Sequence, residues 1–554
     1  MLIQIGLRYS EVHKVESLAQ KHIRVYDQLK AARASLESYW QEKAYYCLPR
    51  KAYINKIYNL GDRTPVDIYD ETAILANAYF AAGMQAYMSG PQTRWHTIGL
   101  RNRALLNKRH ILKYLRDTED VLYGMINGSN FYQEDVEGYL SLGAIGTDIL
   151  YLEDDTKEDI RFDSLSIENV VICNDSTGRV SSAYIEYEFD AEQSFGKFGN
   201  AAGLKVKECY IKGDYSTKFK YLFCVTPREV YDQSKKDSRN MPYAALWIDK
   251  ESKKVVREGG FKEFPFMVSR FAKMKNSPYG YAVADNVLPA IKMSNQMEET
   301  VILGAQNAVS PALEIPDEAF MRPYNFNPRG RNIKNAGFPN EHITPINTGE
   351  NVPLGVDYME RKQRKIEQAF YNDLFLAVEQ VGKMTATEVN IRNNQRMQLL
   401  GSAIGNIMRE KLSPTIERVY AIAARLKKLP PLPPELVGEE YVIEYISPLA
   451  RAQKALELNN LTQAIEIIAS FGGVSPEVLD KIDFDKTVDY VADITNITPK
   501  IIRDDDEVED IRAGRAEQAA IAQQMAAMQQ GAETIKTGTE ADKNVAESHM
   551  AGVR

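Results

Sequence analysis

Along the chain the spacing of apolar residues changes character several times. Apolar residues recur at helical spacing over residues 10–47, at Val15, Leu18, Val25, Leu29, Leu36 and Trp40, until Pro49 stops the run. Residues 72–93 contain no charged side chain and predict a helix ending near Ser89-Gly90-Pro91. Its alanines, Asn77, Gln85 and Gly83 fit a buried helix of a large soluble assembly better than a membrane span. A third helix carries Ile111, Leu115, Val121 and Met125 and closes on Asn127-Gly128; a fourth runs through Val136 and Leu140 to Gly143.

The period then drops to two. Strands are predicted over 148–152, 170–172, 183–189, 205–211, 221–225, 244–248 and 264–271, with a turn at residues 174–178. Helical spacing returns over 282–309, where Pro289 kinks or begins the helix, and over 357–380 through Met359, Ile366, Phe370, Leu374 and Ala377. Two helices joined this way can lie antiparallel, with the Pro/Gly/Asn-rich residues between them at one end of a rod. Neither is apolar enough all round for a monomer's core, so some faces should meet partners or solvent.

Gly382-Lys383 then interrupts the helix. Thr385 and Glu388 have capping-box spacing, with Met384 and Val389 as a staple, so a new helix starts there and runs through Leu400, Ile404 and Met408 to Leu412. Ser413-Pro414, Ser447-Pro448, Ser475-Pro476 and Thr498-Pro499 each predict a hydroxyl cap followed by proline at the first helical position. Residues 429–434 read as a polyproline connector and 441–446 as a short strand. After an acidic break at 504–507, an Ala/Gln-rich helix over 511–530 carries only the seam Ile521, Met525 and Met528. Polar residues, predicted to be flexible, follow.

Composition narrows the class. With 554 residues the chain is long enough for three or four structural units of ~150 residues each. Its 44% hydrophobic and 26% charged residues are those of a globular protein. A net charge of -8 argues against a protein that grips phosphate throughout its surface. Cations are nevertheless clustered: residues 197–275 hold 18 Lys+Arg against 9 Asp+Glu, and Arg322, Arg329, Arg331 and Lys334 occur with no acid between Glu318 and Glu341. Cys47, Cys173, Cys209 and Cys224 form no CxxC pair and read as small buried hydrophobes in a reducing compartment. The apolar start, residues 1–7, is too short for a signal-peptide core, with charges following at Arg8 and Glu11.

Enzymatic signatures are sparse. There is no phosphate loop, no GxSxG elbow and no HExxH. Glu153-Asp154-Asp155, at the end of an apolar strand, is the best candidate for metal chemistry, set against a plain solvated strand end. Asp483, Asp485 and Asp489 lack the glycine of a calcium loop and read instead as acids at a helix start. No catalytic, cofactor-binding or metal-binding set is assigned.

A set of short motifs is more informative. Lys383-Met384-Thr385-Ala386-Thr387-Glu388-Val389, Leu399-Leu400-Gly401 and Glu410-Lys411-Leu412-Ser413-Pro414 resemble the head-to-tail connector (portal) proteins of podovirus-type bacteriophages. So do Ile68-Tyr69-Asp70-Glu71-Thr72-Ala73, Gly90-Pro91 with Arg94-Trp95, Gly143-Ala144-Ile145-Gly146-Thr147, Tyr279-Gly280 with Asn295-Gln296-Met297-Glu298, and Ser447-Pro448-Leu449-Ala450-Arg451. These matches keep their order over about residues 35–470.

The resemblance implies an α+β, mainly helical portal fold with wing, stem, clip and crown regions and a β-rich wing subdomain. By position, 1–280 would be wing (β-rich from about 147), 281–309 and 354–380 stem helices, and 310–353 clip. Residues 378–386 would be the tunnel loop, 386–504 wing and crown helices, and 505–554 a C-terminal helix with a flexible tail. It further implies a homo-oligomeric ring, a dodecamer, at one capsid vertex, assembled in the host cytoplasm and without catalysis. Such a ring conducts double-stranded DNA in packaging and ejection and meets terminase, tail adaptors and the major capsid protein, with no membrane partner. Val381, Gly382, Lys383, Met384 and Thr385 would then line the channel, and Arg322, Tyr324, Arg329, Arg331 and Lys334 would meet terminase or adaptor. The plainer reading of Lys383 and of the four clip cations is a solvated loop. The alternatives to a portal are a metal- or nucleotide-dependent DNA-processing enzyme and an internal capsid scaffold.

Overall fold

The computed structural model describes residues 17–55, 67–310 (except 156, 233 and 236), 313–314, 344–345, 352–375, 400–446, 458, 461–468, 484–495, 507–525 and 528. The chain divides into two compact units, residues 1–449 and 450–554.

In the first unit the N-terminal helical run is two helices, α1 (Leu18–Ala32) and α2 (Ala34–Cys47). The single run expected over 10–47 is corrected at both ends of α1. Ser17 caps its start in a capping box with Gln20. Arg33 breaks its end because its guanidinium turns inward, donating to the carbonyls of Val170 and Glu168 and pairing with Glu37 at 2.8 Å. The uncharged segment forms α3 (Thr72–Met88). Then come α4 (Arg109–Asn127) and α5 (Phe131–Ala144). Gly128 closes α4 at φ -78°, so no left-handed cap is used; Ser129 Oγ donates to the Ile126 carbonyl instead.

The β region holds two antiparallel sheets. Strands β2 (Thr147–Asp155), β3 (Asp159–Ser164) and β9 (Phe266–Arg270) form one, in the order β3-β2-β9. Strands β4 (Val170–Asn174), β5 (Val180–Phe189), β6 (Phe219–Pro227), β7 (Tyr243–Asp249) and β8 (Lys254–Phe261) form the other, as a meander in sequence order. Leu222, Cys224, Leu246 and Ile248 point to one face, where Tyr26 of α1 covers them; Tyr221, Phe223, Val225 and Trp247 point into the main core. Burial on both faces is why these strands read as nearly continuous apolar runs.

Three local expectations are overturned. Residues 205–211 are not a strand but part of α7 (Leu204–Lys212), which follows the short α6 (Ala191–Phe198). Val206 and Cys209 face inward at helical spacing, and Gly213 at φ +67° closes the helix in a conformation glycine adopts freely. Ser413 does not cap a new helix. Its backbone is helical, and one π turn (Met408–Leu412) carries the helix from Gly401–Ile407 into Ser413–Arg425. Pro414 lacks an N–H and crowds the preceding turn, so the widened ring absorbs the misfit. The Ser413 hydroxyl lies 2.8 Å from Tyr445 Oη.

The third correction concerns the two long helices, α8 (Leu288–Val309, opening with Pro289) and α9 (Val352–Ala369). The second was expected to run straight to 380. It stops at Ala369; Tyr371 takes φ +61°, and a turn of helix follows at Asn372–Phe375. The break brings Phe370 and Phe375 both onto Phe80, at 6.4 and 6.5 Å between ring centroids. Positions i and i+5 of a straight helix diverge too far to do this.

Cys47 and Cys224 are buried, Cys173 and Cys209 half-buried, and all four are free thiols. Among the described residues no helix is long and apolar enough to cross a membrane. In the second unit, helices cover residues 461–468, Phe484–Thr495 and 507–525. Asp485 sits in the first turn of its helix, as expected of a dipole-favouring acid, and pairs with Arg512 at 2.7 Å.

Candidate functional site

The antiparallel arrangement of α8 and α9 is the feature on which the functional reading turns. Tyr358 Oη lies 3.4 Å from Met293 Sδ, and Gly355, one turn earlier, packs against Val301 and Met297. As residue numbers fall along α9 they rise along α8, so the chain leaves and re-enters the pair at one end. There two short strands, β12 (Leu313–Glu314) and β13 (Thr344–Pro345), pair antiparallel. The residues between them start and finish at the same end of a rod, as the sequence pattern predicted.

The charges of this pair cancel. Over α8 and α9 there are five Lys+Arg and five Asp+Glu. Arg361 pairs with Asp357 at 2.9 Å, Arg364 with Glu360 at 3.3 Å, and Lys292 with Glu42 at 2.6 Å. Such exposed pairs add little stability, ~0–1 kcal/mol each. The formal charges of the two helices sum to zero, so the rod as a whole has no net charge to draw in a polyanion.

Four of the eight short motifs singled out in the sequence (residues 68–73, 143–147, 279–280 with 295–298, and 410–414) meet near the root of the rod. Asn295, on α8, holds the segment that enters α3: its Oδ1 accepts the N–H groups of Tyr69 (2.8 Å) and Asp70 (3.2 Å), and its Nδ2 donates to the Asp67 carbonyl (3.1 Å). Asp70 then takes the N–H of Thr72 at 3.0 Å and the amide of Gln363 on α9 at 3.3 Å. Glycines 146 and 280 touch backbone to backbone. Gly146 stands at φ +93°, and a Cβ there would lie 2.6 Å from the Ala282 nitrogen. Thr147 Oγ1 accepts the Gly280 N–H at 2.9 Å.

Two buried ion clusters fix this node. Lys411 lies 2.7 Å from Asp135 and 2.8 Å from Asp148, all three wholly buried, with the Tyr139 ring 4.5 Å away. Burial opposes the charge of Lys411, but the two carboxylates outweigh it and hold the ammonium well above its ordinary range. Burial pushes the Asp135 carboxyl up, with Lys411 and Ser89 opposing. Next to it, Glu410 takes Arg270 Nε at 3.1 Å and Lys273 at 3.1 Å. The second cluster joins Lys43 to Asp285 at 2.8 Å, and Asp285 also accepts the Ala282 N–H at 2.6 Å. The Asn295 contacts and these clusters were not foreseen. Their only signal was that Asp70, Asn295, Glu410 and Lys411 lie inside the short motifs.

The acidic end of β2 is accounted for by pairing. Glu153 accepts from Tyr151 Oη at 3.1 Å, Asp155 from the Lys157 N–H at 3.0 Å, and Asp154 lies 3.6 Å from Arg425. Arg425 and Arg418 also pair directly with Glu263, and these three residues line a cavity of about 520 Å³ with Trp247 and Lys197. Among the described residues no group of three or more His, Cys, Asp or Glu could hold a metal ion.

The residues predicted to meet DNA or partners, Arg322, Tyr324, Arg329, Arg331, Lys334, Val381, Gly382, Lys383, Met384 and Thr385, and Glu388 of the predicted capping box with Thr385, all lie outside the described residues. So do the Ser-Pro and Thr-Pro pairs at 447–448, 475–476 and 498–499.

The chain belongs to the bacteriophage head-to-tail connecting protein family, whose model matches residues 19–502. It is similar to the portal protein of Salmonella phage epsilon15, with 27% identity over 540 residues covering 95% of this chain and 96% of that protein. It is also similar to the probable portal protein of Bordetella phage BPP-1, with 29% identity over 515 residues covering 92% and 93%. The resemblance read from the short motifs is borne out, and the mixed helix-and-sheet structure agrees with an α+β class.

Proposed function

We propose that this chain is a phage portal subunit. It forms a ring at one capsid vertex, conducts double-stranded DNA inward during packaging and outward during ejection, and does no chemistry of its own. The observation that carries the reading is the charge-balanced, antiparallel α8/α9 rod in a chain whose family match runs from residue 19 to 502. A conduit must let a polyanion slide, and each strong phosphate contact along its bore would act as a brake.

In this reading residues 1–280 are the wing, 281–309 and 354–380 the stem, and 310–353 the clip, with the tunnel loop at 378–386. Residues 386–504 are wing and crown helices, and 505–554 a terminal helix and tail. Lys383, with Val381, Gly382, Met384 and Thr385, faces the DNA. The clip residues Arg322, Tyr324, Arg329, Arg331 and Lys334 meet the packaging terminase and later the tail adaptors. The basic stretch 197–275 faces a neighbouring subunit or the major capsid protein.

Labelling of intact particles with an antibody to this chain tests the proposal. One labelled vertex per particle, and DNA-free heads when the protein is not made, are the expected results. Label spread over the shell or lost on maturation would support a scaffold instead. Turnover of nucleotide or DNA by the purified protein with Mg²⁺ would support an enzyme.

A further inference from the structure

The helix without charge is only half used by the single chain. Ala73, Ala76, Phe80, Ala81 and Met84 of α3 are buried in the core. Its other side exposes Leu75 (49%) and Tyr79 (47%), with Ala78, Ala82 and Ala86 exposed beside them along the same stripe. In a chain that is 26% charged, a solvent-facing helix of 17 residues without one charged side chain is prepared for desolvation.

A second surface of the same kind lies at the end of α8. From Thr300 to Ser310 there is again no charge, and while Val301 packs against Gly355, Ile302, Leu303 (53%) and Val309 (87%) face outward. Both surfaces alternate bulky residues with small ones (Ala78, Ala82 and Ala86 on α3; Gly304, Ala305 and Ala308 on α8), so the ridges of one can enter the grooves of the other.

A closed ring requires two different patches on each copy, each fitted to the other, whereas a two-fold dimer needs one patch that fits itself. We propose that the exposed stripe of α3 on one copy packs against the charge-free end of α8 on the next copy, as the repeating contact of the ring. The inference rests on the ring reading above and names the faces that close it.

Two double variants test it. Leu75→Lys with Tyr79→Lys disables the α3 stripe; Leu303→Lys with Val309→Lys disables the α8 end. All four side chains are exposed, so unchanged circular dichroism and melting temperature are expected. Light scattering after gel filtration should show rings for the natural chain and 62.7 kDa monomers for each variant alone. An equimolar mixture should give species of about twice that mass and no larger, because one intact contact forms between the variants and cannot propagate. Rings that survive either double substitution would overturn this contact alone. Dimers formed by one variant by itself would show a face pairing with its own kind and would also overturn it. A natural chain that stays monomeric would contradict the ring itself and this contact with it.

Discussion

Lys411 and Asp148, 263 positions apart in sequence, lie 2.8 Å apart with both side chains wholly buried, and Asp135 joins them from α5. One ammonium thus answers two carboxylates where the helix of residues 401–425 meets β2 and α5. Removing the cation alone leaves two uncompensated buried charges, so Lys411→Met should cost about 3–5 kcal/mol in urea unfolding. Adding Asp135→Asn and Asp148→Asn should recover part of that loss. If the triple variant is no more stable than Lys411→Met, the three groups are not coupled as described.

His96 gives a pH signature. Its ring is buried and stacked on Tyr123 at 4.3 Å between centroids, and among the described residues neither ring nitrogen has a hydrogen-bond partner. Burial first, then the charge of Arg94, push its pKa down to about 3 from 6.5. The folded state therefore keeps His96 neutral while the unfolded chain protonates it. Stability from this group is complete above about pH 6.5 and is lost as pH falls toward 3, by up to about 1.4 kcal/mol per unit. His96→Phe should flatten the acid side of the stability curve by that slope, measured as the urea midpoint between pH 6.5 and 4.5. An unchanged slope would contradict the assignment.

Two glycines should respond in opposite directions. Gly146→Ala forces a Cβ against the Ala282 backbone at φ +93°, a cost of about 1–3 kcal/mol or more. Gly405 sits in the helix Gly401–Ile407, and among the described residues nothing lies within 4 Å of an added Cβ, so Gly405→Ala should stabilise by about 0.5–1 kcal/mol. Thermal unfolding of the two variants decides both.

The proposed clip role is tested by charge reversal. Arg329→Glu with Arg331→Glu should weaken docking of the packaging motor several-fold in low salt and less in high salt, while oligomer mass stays unchanged. Motor binding unaffected at low salt would remove these residues from the contact.

Much of the fold was legible because local patterning and tertiary burial agree. The helix without charge, the period-two β region and the antiparallel long pair all follow from spacing that the core then uses. What was not legible required knowledge of partners distant in sequence. The break at Tyr371 exists so that Phe370 and Phe375 can both reach Phe80. β1 (His96–Leu100) finds its partner in β14 (Tyr441–Tyr445), more than 300 residues away. Ser413-Pro414 carries every local sign of a helix start, yet a preceding π turn lets the helix run through it. The candidate site divides in the same way: Asp70, Gly146, Gly280, Asn295 and Lys411 were visible as members of motifs, but their roles come from contacts with one another. Lys383 and the clip arginines, chosen for charge and loop context, remain a proposal about function.

Class-averaged electron microscopy of the purified chain shows whether it closes into a ring. Ring-shaped particles of uniform subunit number around an open channel wide enough for a DNA duplex are expected. Monomers at every concentration, or closed shells without a bore, would contradict the ring.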